Sequence, residues 1–135
     1  MTLRYLLDTN ICIYIAKQHP EKVLKKFNHL MVGEVGMSII TYGELHFGAC
    51  KSQYTQKSLS ILNELVNLIP ILPMFIHVGD FYGKIRSTLE TQGKPIGNND
   101  LWIAAHALSL NITLVSNNLK EFSRVPTLKL ENWVA

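Results

Sequence analysis

Short apolar runs alternate along the chain with stretches whose apolar residues return at helical spacing. Leu3 to Leu7 is mostly apolar and ends in Asp8-Thr9-Asn10, as a buried parallel strand does when it delivers polar residues at its carboxyl end. Asn10 is expected to cap a helix beginning at Ile11. Pro20 suits the first turn of a second helix, whose Val23, Leu24, Phe27 and Leu30 share a face. Val35 to Ser38 predicts another strand, leading into a helix through Glu44 and Phe47. Lys57 to Leu68 places Leu59, Leu62, Leu65 and Val66 at helical spacing, and Ile71-Leu72 is a short strand stopped by Pro73. Phe75 to Thr91 is helical, with Val78, Phe81, Tyr82, Ile85 and Leu89 facing in and Gly93 ending it. After the loop Lys94-Pro95-Ile96-Gly97, Asn98 or Asn99 opens a small-residue helix from Asp100 to Leu110. Ile112 to Val115 is a fourth strand ending in Ser116-Asn117-Asn118, and Leu128 to Leu130 is a candidate fifth.

Strands alternating with helices imply an α/β fold with a mostly parallel sheet covered on both faces. Ligands bind such sheets beyond the carboxyl ends of the strands, where the strand order reverses. Asp8 and the Ser116–Asn118 turn both occupy strand ends of that kind.

The 135 residues predict a single domain spanning 1–135, with no repeat or linker. A hydrophobic share of 47% against 17% charged residues excludes a disordered chain. No run reaches the about 18 apolar residues of a membrane span, and the apolar run before Asp8 is too short for a signal peptide. Cys12 and Cys50 have no metal-ligand spacing and read as small buried residues of a reducing compartment, so a cytoplasmic location and no membrane contact are expected. The net charge of +3 favours an anionic partner but is far from the dense basic face of a duplex-DNA binder.

Three acids stand where a purely structural acid is awkward. Asp8 closes an apolar strand, and Glu44 lies in Ile39-Ile40-Thr41-Tyr42-Gly43-Glu44-Leu45, a segment poor in other charges. Asp100 shares a helix face with Ile103, Ala104 and Ala107. Singly, each has an ordinary explanation: Asp8 as a helix cap, Asp100 as a partner of the helix dipole, Glu44 as half of an ion pair. Together, converging carboxylates repel unless a cation joins them, and Mg²⁺ or Mn²⁺ suits oxygen donors beside substrate phosphate. The histidines lack ligand spacing, and no nucleophile elbow, phosphate-binding loop or dinucleotide fingerprint is present.

Four segments in order resemble the blocks of PIN-domain proteins, and most closely the VapC toxins of bacterial type II toxin-antitoxin pairs. They are Leu6-Leu7-Asp8-Thr9-Asn10, Ser38 to Leu45, Pro95 to Ala107, and Leu114-Val115-Ser116-Asn117-Asn118-Leu119-Lys120-Glu121-Phe122. The resemblance runs from Leu3 to Trp133 and implies a PIN-like fold with a five-stranded, mostly parallel sheet flanked by helices. It implies a Mg²⁺- or Mn²⁺-dependent endoribonuclease, inhibited by a cognate VapB-type antitoxin and assembled as a homodimer. Its substrate would be a structured RNA, with a tRNA anticodon region foremost. By the same resemblance Asp8, Glu44 and Asp100 are the catalytic acids, with Asp8 and Asp100 holding metal. Glu44 would reach the metal through water or position the attacking hydroxide, and Ser116 and Asn118 would orient substrate or metal water. Asn118 stands where many PIN domains carry an aspartate. Glu121, one helical turn on, is open to two readings, as a partial replacement for that aspartate or, favoured, as a solvated acid beside Lys120. Lys84, Arg86, Lys94, Lys120 and Arg124 are candidate phosphate contacts, and Trp102 is left open between RNA stacking, an antitoxin contact and a dimer contact.

Two other readings compete. Phosphoryl transfer through an Asp8 nucleophile wants a second acid two residues on, where this chain has Asn10. A catalytically weak PIN-like scaffold that only binds RNA or a partner is the non-enzymatic alternative.

Overall fold

The computed structural model describes residues 2–135. Its elements run β1 (Tyr5–Leu7), α1 (Thr9–Lys17), α2 (Glu21–Asn28), β2 (Val35–Ser38), α3 (Ile39–Lys51), α4 (Thr55–Leu68) and β3 (Ile71–Leu72). They continue with α5 (His77–Thr91), α6 (Asn98–Leu110), β4 (Thr113–Val115), α7 (Leu119–Phe122) and β5 (Leu130–Glu131). The five strands lie in the order β3-β2-β1-β4-β5, and every pairing is parallel.

That order sets the position of the site. The chain lays β2 and β3 to one side of β1, then returns to lay β4 and β5 on the other. The reversal therefore falls between the carboxyl ends of β1 and β4. The register pairs Leu7 with Val115, so the next residues, Asp8 and Ser116, leave the sheet side by side.

The alternating pleat divides the core in two. Leu6 and Leu114 enter one apolar cluster with Ile85, Leu89, Ile103 and Ala104 of α5 and α6. Leu7 and Val115 enter the other with Ile11, Ile15, Leu62 and Leu65 of α1 and α4. Ala104, Ala105 and Ala107 are fully buried, and such small side chains let α6 lie close to the sheet. At Gly36 an added Cβ would meet the Leu72 side chain at 2.7 Å, so the absence of a side chain lets Leu72 pack over β2. Among the described residues, no helix is long and apolar enough to cross a membrane.

Several local expectations shift. The first helix starts at Thr9, and its cap is Asp8 rather than Asn10: Asp8 Oδ1 accepts from the Ile11 amide at 3.0 Å. The acid that ends β1 is extended and sits three residues before a free helical N–H, which is the geometry of a cap. Cys50 is exposed, because Ala49 takes the inward position on α3 and the next residue turns about 100° away. Cys12 is buried, and both thiols are free. The short helix α7 arises where Val125 and Phe122 fold back onto the α5–α6 cluster.

Candidate active site

Four acids from four separate elements meet at the β1/β4 switch point. Asp8 is delivered by β1, Glu44 by α3, Asp100 by the first turn of α6 and Glu121 by α7. A recess of about 150 Å³ is lined by Asp8, Thr9, Asn10, Glu44, Asp100, Ile103 and Asn118, with no basic side chain among them. The three sequence-predicted acids and Asn118 thus share one cleft, and Ser116 lies just beneath it.

Asp8 is only 5% exposed, and burial pushes its carboxyl above the usual aspartate range. Hydrogen bonds from the Ser116 hydroxyl and the Ile11 amide oppose that shift, while the charge of Glu44 adds to it. Asp100 is driven further, to about 7, first by burial, then by contact with Glu121, and then by the charges of Glu44 and Asp8.

Glu121 is the residue the sequence reading underrated. Its carboxylate reaches Asp100 and accepts from the Asn118 amide at 3.2 Å, so it is a member of the cluster rather than a solvated acid. The signal was present in the spacing: Asn118 to Glu121 is one turn, and α7 brings both to the cleft. The Asn118 backbone N–H donates to Ser116 Oγ at 2.9 Å, which closes the turn after β4. Glu44 finds no lysine. Its Oε1 accepts from the Thr9 hydroxyl at 2.7 Å.

The cleft is an open acidic recess. Among the described residues, no three acid, histidine or cysteine side chains close on one ion-sized point. The geometry explains this spread, since Asp8 is tied to Ile11 and Ser116, and Glu44 to Thr9.

The other candidates lie elsewhere. His106 is fully buried in α6; burial holds its pKa below the usual histidine value, opposed by the Pro73 backbone. Arg86 is engaged by Glu90 at 2.8 Å, and Arg124 donates to the Pro95 carbonyl at 2.8 Å. Trp102 stacks on Tyr82, with ring centroids 3.8 Å apart and planes within 14°. A second, larger groove of about 500 Å³ runs between α1, α3 and α4 and shares Thr9 and Glu44 with the acidic cleft.

The family model described as PIN domain matches residues 5–128. The chain is 44% identical over 132 residues to Ribonuclease VapC2 of Haemophilus influenzae, covering 98% of this chain and 99% of that one. It is 40% identical over 131 residues to a tRNA(fMet)-specific endonuclease VapC of Shigella flexneri, covering 97% and 98% of the two chains. Among solved structures it is similar to VapBC-1 from nontypeable Haemophilus influenzae, with a TM-score of 0.91, 42% identity, and 98% and 100% coverage.

Proposed function

This chain belongs to the PIN-domain family and stands with its VapC ribonucleases, and from that premise we propose that it is the toxin of a VapBC-type pair, an endoribonuclease using Mg²⁺ or Mn²⁺. One observation supports the reading above the rest. Asp8, Glu44, Asp100 and Glu121 gather at a switch-point cleft that no basic side chain lines.

That donor set fits a hard cation. The cleft offers carboxylate and amide oxygens with neither histidine nor cysteine, as Mg²⁺ and Mn²⁺ prefer. Mg²⁺ needs only a few carboxylates and keeps several waters, so an open recess suits it better than a closed cage. Asp8 and Asp100 would hold the ion. Bound there, Mg²⁺ or Mn²⁺ supplies Lewis acidity toward a phosphodiester oxygen and lowers the pKa of water.

The chain's own side chains do the placing. Ser116 and the Ile11 amide fix Asp8 against rotation. Glu44 is positioned to take a proton from the attacking water. Glu121 would supply the negative charge that Asn118 lacks, and it holds the Asn118 amide at the cleft, where that amide would meet the scissile phosphate.

A single-stranded loop of a structured RNA fits an open recess, since splayed bases let the backbone reach the acids. The Shigella flexneri relative is named for tRNA(fMet), which makes a tRNA anticodon region the substrate of choice. The partner is a VapB-type antitoxin, in keeping with the similar chain solved as VapBC-1, and the apolar groove beside the cleft would seat it. The protein acts in the cytoplasm as a homodimer.

The test is cleavage of total bacterial RNA and of purified tRNA by antitoxin-free protein, with Mg²⁺, Mn²⁺ or chelator. Discrete fragments that need the metal are expected. RNA left intact under every condition would overturn the nuclease and leave an RNA- or partner-binding scaffold.

A further inference from the structure

Glu44 stands on a wall between two spaces. It borders the acidic cleft and also the larger apolar groove between α1, α3 and α4. A glutamate is long and rotamer-rich, and the charge of Asp8 repels it from the cleft side. Something must hold it toward the cleft.

The hydrogen bonds around it form a directed chain. Thr9 Oγ1 lies 2.7 Å from Glu44 Oε1 and 3.3 Å from Thr41 Oγ1. Thr9 has one hydroxyl proton, and an ionised carboxylate can only accept. The Thr9 proton therefore goes to Glu44, and Thr41 donates to Thr9. Thr41 is fully buried, so solvent does not compete for its hydroxyl, and it sits one turn before Glu44 on the same face of α3. Thr9 is the first residue of α1, directly after Asp8, so the chain ties the β1 end to α3.

We propose that Thr9 is a positioning residue, oriented by Thr41, that holds the Glu44 carboxylate on the cleft side of the wall. This rests on the nuclease reading above. Thr9 acts through Glu44.

Three variants and two measurements test it. Thr9→Val keeps the shape and removes the hydroxyl, Thr9→Ser keeps the hydroxyl and removes the methyl, and Thr41→Val removes the orienting donor. Loss of a hydrogen bond to a charged group predicts a kcat about 10–100-fold lower for Thr9→Val, with KM within about twofold. Thr9→Ser should stay within about threefold of wild type, and Thr41→Val should lose about 3–10-fold. A Thr9→Val enzyme as fast as wild type, or a Thr9→Ser enzyme as slow as Thr9→Val, would show that Thr9 only packs. A crystal structure of Thr9→Val gives a readout independent of turnover: Glu44 should swing toward the groove. An unmoved Glu44 overturns the proposal even if RNA is cleaved by neither protein, whereas a wild type that cuts no RNA counts against the nuclease reading alone.

Discussion

The acidic cleft and the apolar groove share Thr9 and Glu44 yet arise from different physics. The cleft holds about 150 Å³ and is made by backbone topology, because the chain leaves the neighbouring strands β1 and β4 toward opposite sides of the sheet and releases polar residues at their ends. The groove holds about 500 Å³ and is made by missing cover: Ile13, Leu45, Ala49, Ile61, Leu62 and Leu65 line it, with Ile61 left 42% exposed. Charge crowding defines the first space, and apolar area open to solvent defines the second. If the two are as separable as this implies, one can be broken while the other stays intact.

The largest effect should come from the cleft. Asp8→Asn is the sharper test than Asp8→Ala, because asparagine caps a helix as well as aspartate and so keeps α1 in place. It removes only the charge. Cleavage of RNA is expected to fall about 10²–10³-fold or more, with antitoxin binding kept. A variant that cleaves within a few-fold of wild type would reduce Asp8 to its capping role.

The groove gives the converse. Ile61→Asp places a charge on a partly exposed wall of α4, away from the acids. Antitoxin affinity, measured by calorimetry, is expected to weaken about 10–100-fold, from the lost burial of one large aliphatic side chain. Metal-dependent cleavage by the free toxin should be unchanged. Loss of cleavage with unchanged binding would reverse the two assignments.

The contrast also explains what could be read from the sequence. β1, β2 and β4 were legible because each is short, mostly apolar and ended by polar residues, and β2 and β3 fall where the pattern put them, whereas β5 lies at Leu130–Glu131 rather than Leu128 to Leu130. Asp8 and Asp100 stood out because acids interrupt apolar surroundings. The roles that depend on pairs of side chains were not legible. Nothing local says that Thr9 rather than a lysine meets Glu44. The groove was equally hidden, since no spacing marks Ile13, Leu45 and Ile61 as the lining of one surface. Only the packing of α1, α3 and α4 brings them together along one groove.

The smallest predicted effect concerns stability, and it isolates charge crowding from catalysis. In chelator the Asp100 carboxyl titrates near 7 in the folded chain, against about 3.9 when unfolded. The folded state thus binds the proton more tightly, so stability is fullest below about pH 4 and declines as pH rises toward 7. His106 acts in the opposite sense. Burial lowers its folded pKa, so its contribution is present above the unfolded value of about 6.5 and is lost as pH falls below it. Asp100→Asn removes the first dependence and leaves the second. Asp100 is only half-buried, so solvent screens part of the repulsion and the gain is modest, about 3–5 °C in Tm at pH 7 in chelator. At about pH 2.5, where the carboxyl is protonated in both states, the two proteins should melt together. Mg²⁺ should raise the wild-type Tm at pH 7 and the variant's much less, because the ion relieves the same repulsion that the amide has already removed. A variant that melts below wild type at pH 7 without metal would mean that the four acids are not crowded, and that the cleft and the groove differ in shape alone.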